Sequence, residues 1–173
     1  MKSKPHILLC LIALIICSNI VNAQIKKPGF TLGISAFYAH PKSSFRIEYK
    51  GGIGGEIKAG LGLGKTYFVA SAGYAGLMSE TNNADGTLTY MPVKLGIKQY
   101  FLAKRLFING DIGIVFLKNK SLLNERRLAA DIGVGARLLG LEAGVYLDYW
   151  KNAEGARGYT NAVLYKLGYN FTF

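Results

Sequence analysis

From Phe30 to the end of the chain, apolar and polar residues alternate with a period of two in eight separate stretches of about ten residues. No segment in that region shows the three-and-four spacing of an amphipathic helix, so the alternation predicts strands, each with two unlike faces. The stretches run approximately Phe30 to Ala39, Ile53 to Gly64, Tyr67 to Leu77, Leu88 to Phe101, Leu106 to Leu117, Leu128 to Leu138, Leu141 to Tyr149 and Tyr159 to Phe173. Their connections alternate in length. Gly64-Lys65-Thr66, Leu102 to Arg105 and Leu139-Gly140 are tight, whereas His40 to Gly52, Met78 to Thr87, Lys118 to Arg127 and Trp150 to Gly158 are long, polar and charged. Short turns at one end and long loops at the other describe an antiparallel up-and-down barrel whose termini share the turn end.

The faces decide which solvent such a barrel meets. One face of the second strand carries Ile53, Ile57, Ala59, Leu61 and Leu63, one face of the fourth Met91, Val93, Leu95 and Ile97, and one face of the sixth Ala130, Ile132, Val134, Ala136 and Leu138. The opposite faces hold glycine and charge: Glu56, Lys58, Gly60 and Gly62 in the second strand, Asp131, Gly133, Gly135 and Arg137 in the sixth. Ten tilted residues rise roughly 24 Å, the height of an outer-membrane apolar band. Aromatics gather at the strand ends and predict two girdles: Phe68, Phe101, Phe107, Phe171 and Phe173 at the turn end, Tyr38, Tyr74, Tyr90, Phe116, Tyr149 and Trp150 at the loop end. A secreted lipocalin-like barrel would turn the pattern inside out. Against it stand the glycine-rich polar faces, which suit a narrow lumen and carry too few charges for a solvated exterior. There is also no Trp near the first strand and no helix after the last.

The start of the chain reads differently. Lys2 and Lys4 precede an apolar run from Ile7 to Cys17, and small or polar residues lead to Val21-Asn22-Ala23. The run is shorter than the roughly 20 residues a transmembrane helix needs, and the pattern is that of a secretory signal peptide. Cleavage is expected after Ala23, so residues 1–23 are export signal and 24–173 form a single barrel domain. Cys10 and Cys17 both fall in the removed segment, which leaves no thiol for a disulfide or a metal. A lipidated Cys17 is the rival reading, but Leu14-Ile15-Ile16 lacks the small residues a lipoprotein signal places before its cysteine. Without Lys2 and Lys4 the basic count falls from 21 to 19 against 10 acids, a charge of about +9. A nucleic-acid binder can share that balance, yet an exported chain rarely meets nucleic acid and these residues form no stripe.

Two segments carry a resemblance. Phe173 ends the chain with Tyr165, Leu167, Tyr169 and Phe171 on the same face, which resembles the C-terminal signal read by the outer-membrane barrel-assembly machinery; Tyr169, Phe171 and Phe173 are its candidate residues. Tyr90-Met91-Pro92-Val93-Lys94-Leu95-Gly96-Ile97-Lys98-Gln99-Tyr100-Phe101 resembles the proline-containing fourth strand of the small porin-like outer-membrane β-barrel family. The likeness extends from Phe30 to Phe173 by pattern. It implies an eight-stranded antiparallel up-and-down transmembrane β-barrel in a bacterial outer membrane, and it implies no substrate.

Few motifs suggest chemistry. Gly60-Leu61-Gly62-Leu63-Gly64-Lys65-Thr66 ends like a phosphate-binding loop, but Ala59 replaces its first glycine and a strand, Tyr67-Phe68-Val69-Ala70, follows in place of a helix. His40, the one histidine after the signal segment, stands near Ser43 and Ser44. Small outer-membrane lipid-modifying enzymes use Ser and His with an acid, but no acid is placed here to orient His40. No catalytic residue, cofactor or metal site is expected. Asn119-Lys120-Ser121 and Asn170-Phe171-Thr172 match a glycosylation pattern that has no meaning in a bacterial barrel.

The inner faces say more. Alternation sends Glu56, Lys58, Lys94, Lys98, Asp111, Asp131, Arg137, Glu142, Asp148 and Lys166 into the lumen, five acids and five bases. An eight-stranded barrel is just wide enough to be filled by side chains, and buried charges persist when paired. A balanced set predicts an ionic plug in which Lys94, Lys98 and Arg137 neutralise Asp111, Asp131 and Glu142. A selectivity filter would show one dominant sign. The basic surplus then lies at the ends: Lys42, Arg46, Lys50, Lys118, Lys120, Arg126, Arg127, Lys151 and Arg157 against Glu48, Glu80, Asp85, Glu125 and Glu154 in the loops, and Lys26, Lys27, Lys65, Lys104 and Arg105 at the turns. Anionic outer-membrane lipids are the natural contact for such rings. The expected function is structural or interactive, through the loops. A lipid-modifying enzyme and a narrow porin-like channel are the alternatives.

Overall fold

The computed structural model describes residues 28–42, 49–79, 86–119, 125–151 and 159–173. The expected signal segment with Cys10 and Cys17 lies outside them, as do Lys26, Lys27, Ser43, Ser44, Arg46, Glu48, Glu80, Asp85, Lys120, Glu154 and Arg157. Eight strands follow one another: β1 Gly29–Pro41, β2 Tyr49–Leu63, β3 Thr66–Ser79, β4 Leu88–Phe101, β5 Leu106–Lys118, β6 Glu125–Leu138, β7 Leu141–Lys151 and β8 Tyr159–Thr172. Each pairs antiparallel with its neighbours, and β1 pairs with β8 to close the barrel. Closure removes the unpaired edge that an open sheet would present, so every strand finds a hydrogen-bonding partner on both sides.

β4 has the bounds read from the alternation, and the other strands differ mainly at the loop end. His40 and Pro41, Tyr49 to Gly52, Met78 and Ser79, Glu125 to Arg127, and Trp150 and Lys151 are all strand and not loop. These segments look polar but keep the two-residue period. Their inward members, among them Tyr49 and Trp150, find apolar neighbours inside the barrel. The charges of Glu125 and Arg127 satisfy one another at 2.7 Å. At the closing seam Phe173 N–H donates to the Phe30 carbonyl at 2.8 Å and Phe30 N–H returns a bond to Phe173 at 3.2 Å, so the ladder reaches the last residue.

The three tight connections use left-handed backbone. Gly64 has φ 69°, Leu139 and Gly140 have φ 50° and 90°, and Leu102, Ala103 and Lys104 have φ 44°, 54° and 65°. Consecutive positive φ at Leu139 and Gly140 matches a two-residue hairpin turn whose twist suits the flanking strands. Gly140 has a second reason to be glycine, because a Cβ there would stand 2.6 Å from the Tyr169 ring. In β4, Pro92 has no N–H to give, and the β3–β4 ladder breaks there, running to Ala72–Val93 and resuming at Ala75–Tyr90.

The outward faces are apolar. Ile53, Ile57, Leu61 and Leu63 of β2, Val93, Leu95 and Ile97 of β4, and Leu128, Ile132, Val134 and Leu138 of β6 are all exposed, while the charged faces turn inward. A water-soluble barrel buries the apolar face, so this orientation overturns the lipocalin-like alternative. Tyr38, Tyr74 and Tyr149 at the loop end, and Phe68, Phe101, Phe171 and Phe173 at the turn end, are exposed where girdles were expected. Phe116 is half-buried, with the Arg126 guanidinium 5.6 Å from its ring centre. Three other expected girdle residues are not in the girdles: Phe107, Tyr90 and Trp150 carry the inward parity of their strands and are buried in the lumen. Position along a strand suggested the girdle, and the face decides.

Candidate functional site

The lumen is layered along the barrel axis. Toward the loop end it is apolar, filled by Phe37, Tyr49, Leu77, Leu88, Val115, Leu117 and Trp150 among other buried residues. Toward the turn end Tyr67, Tyr100 and Phe107 meet edge to face, with ring centres 5.5 and 5.9 Å apart. Large rings fit because glycines face them. A Cβ at Gly62 would strike the Tyr67 ring, and one at Gly133 the Tyr146 ring. Between these layers lie the charges, and they form three groups.

In the first, Lys94 on β4 reaches Asp131 on β6 at 2.8 Å and Asp148 on β7 at 2.5 Å, and the Tyr90 hydroxyl donates to Asp148 at 2.5 Å. Lys94 is 2% exposed and Asp148 0%, so these charges depend on one another and not on water. In the second, Glu56 on β2 is ion-paired with Lys58 at 2.8 Å and accepts from Lys166 on β8 at 2.9 Å. The two ammonium groups lie 5.4 and 4.4 Å from the Tyr146 ring centre, a cation–π arrangement that spreads their charge onto a neutral wall. In the third, Glu142 on β7 accepts from Lys98 at 2.6 Å, from the Tyr100 hydroxyl at 2.5 Å and from Asn170 at 3.2 Å. Open space lies toward the turn end, beside Lys58, Glu142, Tyr146 and Lys166 and again beside Tyr67, Lys98 and Asn170, with room for water-sized occupants.

All ten expected lumen residues face inward, but the pairing differs from the expected one at two places. Asp111 has no cation within ion-pair distance among the described residues; it accepts from Asn109 and lies opposite Asp131 in the β5–β6 register. Arg137 sits at the turn-end mouth. Its guanidinium donates to the Thr172 hydroxyl at 2.8 Å and the Asn170 carbonyl at 3.2 Å, and its Nε is 4.0 Å from Glu142, whose closer partner is Lys98. Two-residue periodicity assigns a face but not a depth, so a residue near a strand end looks as central as one at mid-height.

Counting charges alone also missed the neutral members of the network. Tyr90, Tyr100, Asn109, Tyr146 and Asn170 share the inward parity, and all five are buried. That parity was the available signal. Of the other candidates, His40 is half-buried beside Tyr38, ring centres 6.5 Å apart. No carboxylate pairs with it among the described residues. Gly60 and Gly62 face the lumen and Gly64 begins a turn between two strands, so that segment is no phosphate loop. No three His, Cys, Asp or Glu residues group to hold a metal among the described residues. Tyr169, Phe171 and Phe173 lie exposed on the outward face of β8, with the first two rings 4.7 Å apart.

No protein-family model and no curated protein matches the chain. Solved structures do. Neisserial surface protein A superposes with a TM-score of 0.61 at 13% identity, over 83% of this chain and 97% of that one. Ail, the attachment invasion locus protein of Yersinia pestis, gives 0.58 at 13% identity, over 86% of this chain and 100% of its own. The outer membrane enzyme PagL gives 0.55 at 15% identity, over 80% and 98%. Identities this low speak to fold alone, and on that ground the chain has the fold of the small eight-stranded outer-membrane β-barrels.

Proposed function

We propose that this protein is an integral bacterial outer-membrane barrel with a side-chain-filled lumen, exported by its N-terminal segment, that acts through its loop end as a structural or interaction protein and not as an enzyme or a pore. The observation that carries the reading is the pairing of an apolar outward band with an interior whose charges, Asp111 apart, are paired with one another, mostly across the lumen. A pore needs a continuous water-filled path, and a charge-selective one also a dominant sign along it. This interior has apolar packing at one end and neutralised groups below it.

The membrane itself supplies the first partner. Every acid among the described residues, Glu56, Asp111, Glu125, Asp131, Glu142 and Asp148, lies on an inward-facing position. Lys118, Arg126 and Lys151 instead continue the outward faces of β5, β6 and β7 beyond the apolar band. Cations at that height meet the phosphates of anionic lipid headgroups.

The test combines fractionation, gel mobility and planar-bilayer recording. The protein is expected in the outer-membrane fraction, to migrate differently with and without boiling, and to give no steady conductance. A soluble, unshifted protein would end the membrane reading, and steady wild-type conductance would favour the narrow channel. PagL is described as an enzyme, so lipid modification is assayed in parallel. Activity abolished by His40→Ala would replace the non-enzymatic reading.

A further inference from the structure

Three aspartates stand side by side across the inner wall, because Asp111 on β5 pairs in register with Asp131 on β6, and Asp131 with Asp148 on β7. One ammonium group, Lys94, serves this row and reaches only the last two. The other lumen cations are committed elsewhere: Lys58 and Lys166 to Glu56, Lys98 to Glu142, and Arg137 at the mouth. The lumen is therefore polarised, with acid in excess on the β5–β7 wall.

The excess is located at one contact. Asp131 Oδ2 takes the Lys94 bond, while its Oδ1 is buried and has no hydrogen-bond donor. Asp111 is the direct partner of Asp131 in the β5–β6 register, both side chains are buried on the inward face, and the carboxylate of Asp111 accepts from Asn109. Gly96, opposite Asp111 on β4, leaves the space that the carboxyl occupies, since a Cβ there would overlap Asp111 Oδ1. Two ionised carboxylates in contact in a dry interior repel, and one proton between them turns that repulsion into a hydrogen bond.

We propose that Asp111 and Asp131 form a proton-binding site at mid-lumen, in which neutral Asp111 donates to the otherwise unpartnered Oδ1 of Asp131. The surroundings fit a site for one proton. Lys94 and Tyr90 face it from β4, Asp148 and Tyr146 from β7, Glu56 and Lys58 from β2, and Lys166 from β8. None of them offers a free donor at Oδ1. A neutral Asp111 leaves the row with two charged carboxylates around Lys94, and the surplus cations of the Glu56 group offset the remainder across the lumen.

Asp111→Asn tests the site, because the amide keeps the shape and supplies a permanent N–H in place of the shared proton. Folded in detergent and unfolded in urea at neutral pH, it should match or exceed the wild type. Asp148→Asn, which weakens the anchor of both Lys94 and Tyr90, should lower the folded-to-unfolded ratio at least tenfold. As pH rises the wild type should lose stability relative to Asp111→Asn, since only the wild type has a proton to give up. Infrared spectra of the wild type should carry a protonated-carboxyl band that shifts in heavy water and disappears in Asp111→Asn. Loss of stability in Asp111→Asn equal to that in Asp148→Asn, or a wild type without the band, would overturn the proposal. A wild type lacking the band and stabilised by added sodium or potassium would identify a metal cation in the proton's place.

Discussion

Lys94 and Arg137 occupy equivalent places in the alternation, each a base on an inward face, yet they differ in what their removal exposes. Lys94 holds two carboxylates that are otherwise out of reach of water. Its replacement by Ala should cost roughly 3–5 kcal/mol, the range for stripping the partner from a buried ion. Arg137 shares its acid with Lys98, Tyr100 and Asn170. Its replacement by Ala should cost about 1 kcal/mol or less, as for a partly exposed pair. Urea unfolding of both variants in the same detergent measures the difference, and equal losses would contradict the depths assigned here. The identity of the lumen residues was legible because strand parity is strict. Depth and partner choice were not, because they depend on the stagger between strands, which places Lys94 level with residues of β6 and β7 that lie far along the chain.

At the scale of the strand, the sequence reading was strongest where the two ends of an element are marked chemically. β4 runs between a charged loop and a tight turn, and both ends could be read. β2 and β7 run on into segments that look like loop because Lys, Gly and Asn crowd them, although Trp150 and Tyr49 still keep the period. Phe107, Tyr90 and Trp150 show the converse error: aromatic residues near strand ends invite a girdle assignment, and their parity overrides it. β8 has a further role, since Phe173, the residue that follows it, both extends the ladder to Phe30 and shows its ring to the outside. Phe173→Asp should keep the backbone seam but put a charge at the membrane boundary and remove the terminal aromatic. The fraction of protein with heat-shifted mobility after expression should fall well below wild type, with Phe173→Tyr close to normal. Unchanged folding of the Asp variant would mean that neither the girdle nor the assembly signal depends on this ring.

At the scale of the whole barrel, the sheet and the lumen hold the chain together in different ways. Hydrogen-bond ladders join strands that are neighbours in sequence, apart from the β1–β8 seam. The ion pairs follow chords of the circle: β4 to β6 and β7, β2 to β8 and β4 to β7, linking residues 37 to 110 positions apart. A chord needs strands that no single hairpin contains. A single hairpin has its ladder but holds Glu56 without Lys166 and Lys94 without its aspartates, so it gains none of these cross-lumen pairs. Unfolding should therefore be all or none. Fluorescence of Trp150, the single tryptophan, and circular dichroism of the strands should trace one urea transition with a common midpoint. A Trp150 transition that precedes the loss of strand signal would show that the apolar cap at the loop end melts separately. The same geometry sets the order of assembly, in which the Lys94 and Lys98 pairs wait for β4 to β7 to stand together and the Lys166–Glu56 pair forms only when the first strand meets the last.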